Sequence, residues 1–284
     1  MRRTTSPARV RDAVARWRAG GKAVAFVPTM GAIHAGHLSL VVRARGTGRR
    51  VVASIFVNPL QFGPGEDFGR YPRPIARDRR LLAAAGVDLL WEPRAGDLYP
   101  DGHRTRVRVP GLDEVLEGAS RPGHFEGVTT VVLKLLDVVT PDVLWLGQKD
   151  AQQAVVLERM VRDLLLPVAV KRAPTVREPD GLALSSRNAY LSPAERAQAV
   201  ALCRGLEAAR ESLEAGERSA AGVKRRVRAV WRGFPLVRED YVAVVDARTL
   251  APVRDTRGAR RLLVAVAAAV GPARLIDNLE WSPR

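Results

Sequence analysis

Ala23-Val24-Ala25-Phe26-Val27-Pro28-Thr29-Met30-Gly31-Ala32-Ile33-His34-Ala35-Gly36-His37 joins two kinds of local order in fifteen residues. The first five form a short apolar run of strand-forming side chains, and Pro28 closes it. That is the mark of a buried strand. A polar, glycine-bearing segment follows, and residues 37–45 turn helical in pattern. Such a strand, handing polar residues to a helix start, is the repeating unit of a parallel sheet with helices on both faces.

The unit recurs along the chain. Apolar runs at 51–57, 87–91 and 143–146 close at Asn58-Pro59, Pro93 and Gly147, and a fifth at 168–170 precedes Pro174. Helical patterns fill the gaps at 75–85, 128–139 and 151–165. In the second of these the stripe is Val128, Val131, Val132, Leu135, Leu136 and Val139. The expected fold is α/β, with a Rossmann-like doubly wound parallel sheet over residues 1–175.

After residue 175 the order changes to helices and then strands. Ser192-Pro193-Ala194-Glu195 combines an N-cap serine, a proline at the first helical position and a glutamate at the third. This predicts one helix from there to about 214, ending near Gly216. A second helix is predicted at 220–231, and strands at 241–245, 262–266 and 274–276. A smaller, lid-like α+β C-terminal domain is therefore expected over 176–284.

A length of 284 residues agrees with two domains and buries a core without staples. The one cysteine, Cys203, excludes an internal disulfide framework and a cysteine-rich metal site. The longest apolar run, 262–270, falls short of the roughly 18–20 residues of a membrane-spanning helix. Basic residues but no apolar segment follow Met1, so no signal peptide is expected and the setting is expected to be cytoplasmic. The 46 Lys+Arg against 30 Asp+Glu leave a net charge of +16. That charge invites a nucleic-acid reading, but the basic residues are scattered Arg, with only short dense spots such as 77–80, 224–226 and 257–261. They lack the interleaved aromatics of a single-strand groove. Neither a nucleic-acid nor a membrane partner is expected.

Four polar blocks follow predicted strands, where ligands bind in an open α/β sheet. His34 and His37 start a helix, where anions are favoured, and Gly36 permits close approach of a phosphate to the backbone. Imidazoles so placed can donate to phosphate oxygens. A metal pair is the alternative, with no third ligand near in sequence. Asn58 and Gln61 offer neutral amides suited to a small polar substrate. Gly147-Gln148-Lys149-Asp150 holds one of only five lysines, a compact cation for phosphate, and Gln153 lies one helical turn on. In the fourth block Pro179-Asp180-Gly181 marks a turn, and Ser185, Ser186 and Arg187 supply donors suited to a transferring phosphoryl group. His124 opens the 128–139 helix. The chain has no P-loop, no Gly-x-Gly-x-x-Gly after a strand and no Gly-x-Ser-x-Gly.

These blocks, in this order, resemble the pantothenate synthetase (pantoate–β-alanine ligase) family. The most specific segments are 27–40, 54–62, Tyr71-Pro72-Arg73, Gly123-His124-Phe125-Glu126-Gly127-Val128 and Ser185-Ser186-Arg187-Asn188. His34–His37 looks like the HIGH-type signature of a nucleotidyltransferase superfamily, and Leu184–Arg187 like its second, KMSKS-like signature. The resemblance implies a two-step reaction: ATP and pantoate give a pantoyl adenylate and pyrophosphate, then β-alanine displaces AMP. The alternative within the superfamily is adenylylation or cytidylylation of a phosphorylated cofactor precursor.

Residue by residue, the resemblance places Met30, Gly31, Ala32, Ile33, His34, Ala35, Gly36 and His37 along ATP. It adds Gly147, Gln148, Lys149, Asp150 and Val176, with Leu184, Ser185, Ser186 and Arg187 on the phosphates. His37, His34, Lys149, Ser185, Ser186 and Arg187 are the expected catalytic groups. Gln61, Gln153, Asn58 and His124 are expected at pantoate and β-alanine. Mg²⁺ is expected with ATP, on no assigned protein ligand, and the resemblance implies a homodimer. Three departures stand out. Gln148 stands where the family usually has Glu, and Leu184 where it usually has Met. Only Asp78 follows Tyr71-Pro72-Arg73 where some members have an acidic run.

Overall fold

The computed structural model describes residues 1–258 and 260–282. Its chain divides into two compact units, Met1–Gln148 with Val156–Pro174, and Lys149–Val155 with Thr175–Arg284. A single cut at 175/176 therefore differs at Lys149–Val155 and at Thr175, which cluster with the second unit. Position 259, within both the basic spot at 257–261 and the expected second domain, lies outside the described residues, as do 283 and 284.

In the first unit the strands are β1 (Arg2–Thr4), β2 (Val24–Thr29), β3 (Arg50–Ile55), β4 (Leu89–Trp91), β5 (Val143–Gly147) and β6 (Ala169–Ala173). They form one parallel sheet in the order β1-β4-β3-β2-β5-β6. The chain moves outward from β2 through β3 to β4, then returns to β5 on the other side of β2. The strand order thus reverses between β2 and β5, where an α/β sheet opens its ligand crevice at the carboxyl ends. The helices are α1 (Pro7–Ala19), α2 (Ala35–Gly46), α3 (Ile75–Ala84), α4 (Ala95–Leu98), α5 (Glu117–Ser120) and α6 (His124–Val139), with α7 (Ala151–Asp163) belonging to this unit from Val156 on. Val27, Ile33, Leu40, Val41, Val51, Leu82 and Leu90 pack into one core.

Two elements escape the periodicity. β1 is Arg-Arg-Thr, with no apolar residue, and exists through backbone pairing with Leu89–Trp91 at the sheet edge. α1 buries only Val10, Ala13 and Val14 between its arginines, and Ser6 caps it by accepting from the Arg9 N–H.

The second unit carries α8 (Pro193–Ala199), α9 (Ala201–Glu214) and α10 (Ala220–Trp231), then β7 (Val237–Asp246), β8 (Leu262–Val270) and β9 (Ala273–Trp281). The strands form an antiparallel sheet in chain order. Alternate residues of β8, from Leu262 to Val270, share a core with Leu206 of α9 and Val223, Val227 and Trp231 of α10. That is the period of two that a strand face requires.

The single helix expected from 193 to 214 is two. Val200 keeps helical dihedrals, φ −61° and ψ −15°, so the chain scarcely bends there. Side chains take up carbonyls at the break: the Cys203 Sγ–H donates to the Val200 carbonyl at 3.0 Å, and the Trp231 Nε1–H to that of Ala201 at 2.8 Å. The Val200 carbonyl also keeps its helical bond from the Arg204 N–H at 3.0 Å.

Candidate active site

Between β2 and α2 the backbone is fixed from below. Thr29 Oγ1 donates to the Ser54 carbonyl at 2.7 Å and accepts from the Gly31 N–H at 3.2 Å. Asp78, in the first turn of α3 and fully buried, accepts from the Ala32 N–H at 2.8 Å and the Ile33 N–H at 2.9 Å. Three consecutive amides are thereby occupied inside the protein. The groups of this segment that can meet an anion are the two imidazoles and the first turn of α2.

The imidazoles themselves cap that turn. His34 is the N-cap, and its Nδ1 accepts from the Gly36 N–H at 3.2 Å. His37 Nδ1 accepts from the His34 N–H at 3.3 Å. This is a capping box in which two histidines replace the usual hydroxyl and carboxylate. The rings lie 4.0 Å apart. A neutral imidazole that accepts at Nδ1 carries its proton on Nε2. The cap therefore selects, on both rings, the tautomer that donates from Nε2. A Cβ on Gly36 would lie 2.8 Å from His34 Cε1, so glycine is what lets the ring sit there.

Asn58 and Gln61 frame the short turn after β3. Gln61 Nε2 donates to Met30 Sδ at 3.1 Å, which links the second block to the first. Asn58 is buried, and its amide is used within the protein. Nδ2 donates to Gln61 Oε1 at 3.1 Å and to the Gly127 carbonyl at 3.0 Å, while Oδ1 accepts from the Tyr99 hydroxyl at 2.7 Å. A Cβ on Gly127 would come within 2.3 Å of the Leu60 carbonyl oxygen, so this turn and α6 touch through glycine.

His124 backs the same turn. Its Nδ1–H donates to the Gln61 carbonyl at 2.8 Å, and its Nε2 accepts from Arg121 at 3.1 Å. Arg121 in turn forks onto Glu66, 2.8 Å from Oε1. Burial, then the Arg121 charge, pushes the His124 pKa down to about 4. At neutral pH His124 is an uncharged spacer between Arg121 and Gln61.

In the second unit, Lys149 lies in a single turn, Gln148–Asp150, with Nζ 3.7 Å from Asp150 Oδ1. Its carbonyl accepts from Asn278 Nδ2 at 2.8 Å. Gln153 follows in α7. Residues 176–184 form a hairpin: Leu184 N–H donates to the Val176 carbonyl at 3.0 Å, and Gly181, at φ +95°, supplies the left-handed residue of the predicted turn. Arg177 forks onto buried Asp277 at 2.5 and 3.0 Å. Adjacent residues of β9, Asp277 and Asn278, thus anchor the hairpin and Lys149.

Ser185 accepts from the Arg187 N–H at 3.3 Å and caps the turn Ser186–Tyr190. Asn188 donates to Glu178 at 3.0 Å, tying that turn to the hairpin base. Arg196 grips Asp180 and Glu178, and its hydrogen bond holds the Asp180 carboxyl below the usual range.

Within the first unit, then, Met30–His37, Asn58, Gln61 and His124 converge, beside β5, which ends at Gly147. Within the second, β9 ties Lys149 and the hairpin that carries Val176 and Leu184, and the turn of Ser185, Ser186 and Arg187 follows. Residue patterns missed Asp78 as a backbone anchor and missed Tyr99, Arg121, Asp277 and Asn278 altogether. Asp78 had one signal, its place after Tyr71-Pro72-Arg73. Among the described residues no group of three or more His, Cys, Asp or Glu could hold a metal ion.

Residues 2–280 match the family model described as pantoate-beta-alanine ligase. The pantothenate synthetase of Moorella thermoacetica is 54% identical over 272 residues, 96% of this chain and 95% of that one. A crystal structure of pantothenate synthetase from Thermus thermophilus superposes with a TM-score of 0.93 at 52% identity, over 100% of both chains. A pantoate-beta-alanine ligase from Francisella tularensis, complexed with beta-gamma ATP and beta-alanine, gives 0.78 at 32% identity, over 98% of this chain and 97% of that one.

Proposed function

The chain belongs to the pantoate–β-alanine ligase family, and from that premise we propose how its residues carry the reaction. The activity is condensation of pantoate with β-alanine at the expense of ATP. The match over residues 2–280 carries this reading.

In the first step a pantoate carboxylate oxygen attacks the α-phosphorus of ATP. The new P–O bond forms as the bond to the bridging oxygen breaks, and pyrophosphate leaves with that electron pair. His37 and His34 donate from Nε2 to the charge that develops on the phosphates, and Lys149 adds a cation. Ser185, Ser186 and Arg187 donate to the phosphate oxygens. Met30–Ile33, Ala35, Gly36, Gly147, Gln148, Asp150, Val176 and Leu184 line the nucleotide. Gln61 and Gln153 hold pantoate, and Gln61 also borders the β-alanine position. In the second step the β-alanine amine attacks the acyl carbon, AMP departs with the anhydride oxygen and its electron pair, and the proton lost by the amine passes to solvent. No enzyme nucleophile is needed, so catalysis is positioning and charge stabilisation.

Asn58 and His124 act through Gln61, since the protein uses their polar groups. We propose that residues 1–175 bind ATP and pantoate and that the smaller 176–284 part supplies the 184–187 segment. The described side chains offer no cage for a resident cation, so Mg²⁺ arrives on the phosphates of ATP. No described helix is long and apolar enough to cross a membrane, and the proposed setting is the cytoplasm. The proposed assembly is a homodimer.

The deciding experiment is AMP release with ATP, pantoate and β-alanine, one omitted at a time. The ligase requires all three for AMP. Pyrophosphate release that needs no pantoate, with no AMP formed on adding β-alanine, would return the reading to a nucleotidyltransferase acting on a phosphorylated precursor. A chelator arm tests Mg²⁺, and sedimentation of the same sample tests the dimer.

A further inference from the structure

Asp78 takes no part in the chemistry above, yet it is a fully buried carboxylate with no exposed surface. Its partners are two backbone N–H groups, those of Ala32 and Ile33, rather than a cation. Burying a charge in this way is costly unless strong hydrogen bonds compensate it. The segment it holds is itself unusual. Ala32 sits at φ +50° and Gly31 at φ +89°, left-handed backbone that a non-glycine residue resists. A Cβ on Gly31 would lie 3.2 Å from Asp78 Oδ2 and 3.1 Å from Ile55 Cγ2, so carboxylate and loop are in close contact. The held residues lead directly into His34, the cap of α2.

We infer that Asp78 is a positioning residue for ATP: its hydrogen bonds to Ala32 and Ile33 hold the left-handed Gly31–Ala32 backbone in place and thereby set the His34–His37 donors. This rests on the ligase reading, in which that segment lines the nucleotide. The carboxylate is reached from α3, 46 positions away along the chain. Asp88 makes a comparable side-chain bond, to the Val51 N–H, but holds only one amide, and at the opposite end of β3. The double clasp at Asp78 fixes both the position and the direction of the loop.

Asp78→Asn keeps the shape but turns one acceptor into a donor that faces a backbone N–H. One charge-assisted bond is lost, and a loss of that size corresponds to about a 10- to 100-fold effect. Wild-type turnover is measured first, because wild-type chain that makes no AMP overturns the ligase reading and not this one. Calorimetric affinity for a non-hydrolysable ATP analogue then tests Asp78 independently of turnover. The expected result is that analogue affinity and the KM for ATP each worsen by at least about 10-fold, with the KM for β-alanine within about twofold. A residue that only stabilised the fold would lower the active fraction and leave every KM in place. Unchanged affinity for the analogue in folded Asp78→Asn, or a matching rise in both KM values, overturns the inference. If that variant does not fold, Asp78→Ser, which removes one of the two acceptors from the same position, is held to the same two readouts.

Discussion

At the scale of single residues the candidate site works through the states of its histidines. Both Nδ1 atoms of the HIGH-type pair are acceptors in the helix cap, so the transferable proton sits on Nε2. His37→Ala and Lys149→Ala are each expected to slow adenylate formation by roughly 100-fold, about 3 kcal/mol, while circular dichroism stays unchanged. Full activity in either sinks the proposed mechanism. His124 is opposite in kind. Burial and Arg121 take its pKa to about 4, against 6.5 in the unfolded chain. Above pH 6.5 both states hold it neutral. As pH falls from 6.5 to 4 the unfolded state takes up a proton that the folded state refuses, and stability is lost. His124→Asn removes that titration. Its deficit against wild type in urea unfolding should therefore narrow by about 2 kcal/mol between pH 7.5 and 4.5. A constant gap would exclude this role. The His34–His37 pair was legible because its partners are local. The roles of Asp78 and Tyr99 were not, because their partners are 45, 46 and 41 positions away.

At the scale of elements, the strand–helix units were legible wherever apolar period and a breaking residue coincided, as at Phe26 and Pro28. β1 was not, since edge pairing needs backbone groups and no apolar side chain. The split at Val200 was not legible either: Ser192–Glu195 signals where a helix starts and carries no mark of a break at Val200. The contact between α6 and the Asn58–Gln61 turn is the element-level feature with a functional consequence. Gly127 approaches Leu60 and Gln61 so closely that a Cβ would fall 2.3 Å from one backbone atom and 2.6 Å from another. Backbone cannot yield as a flexible side chain does. Gly127→Ala is expected to cost about 1–3 kcal/mol and to displace Gln61. The KM for pantoate and for β-alanine should then rise while the KM for ATP changes less. A lower active fraction with all three KM values unchanged would show that the variant had only loosened the fold.

At the scale of the whole molecule the open question is charge. The sequence places 46 cations against 30 anions, and sequence alone cannot say whether the excess of 16 lines a groove or lies dispersed. In each unit many arginines sit beside carboxylates. Arg79 forks onto Glu92, and Arg172 meets Glu158 at 2.6 Å. Arg228 pairs with Glu239 and Arg274 with Asp240. Exposed pairs of this kind add little stability, about 0–1 kcal/mol each. Their effect is to intersperse the two signs, which breaks up the continuous field that a nucleic-acid groove requires. Anions such as ATP should still be steered, because net charge acts at a distance and is screened beyond about 8–10 Å at physiological salt. Raising salt from 0.05 to 0.5 M should therefore lift the KM for ATP only a few-fold, and duplex DNA should not inhibit the ligase at 0.15 M salt. A protein that neutralises 6–10 phosphates instead shows a log–log salt slope of roughly −5 to −9. Inhibition by duplex with a slope that steep would mean that the positive charge is organised after all; a slope shallower than about −3 agrees with dispersed arginines whose function is discharged at the nucleotide.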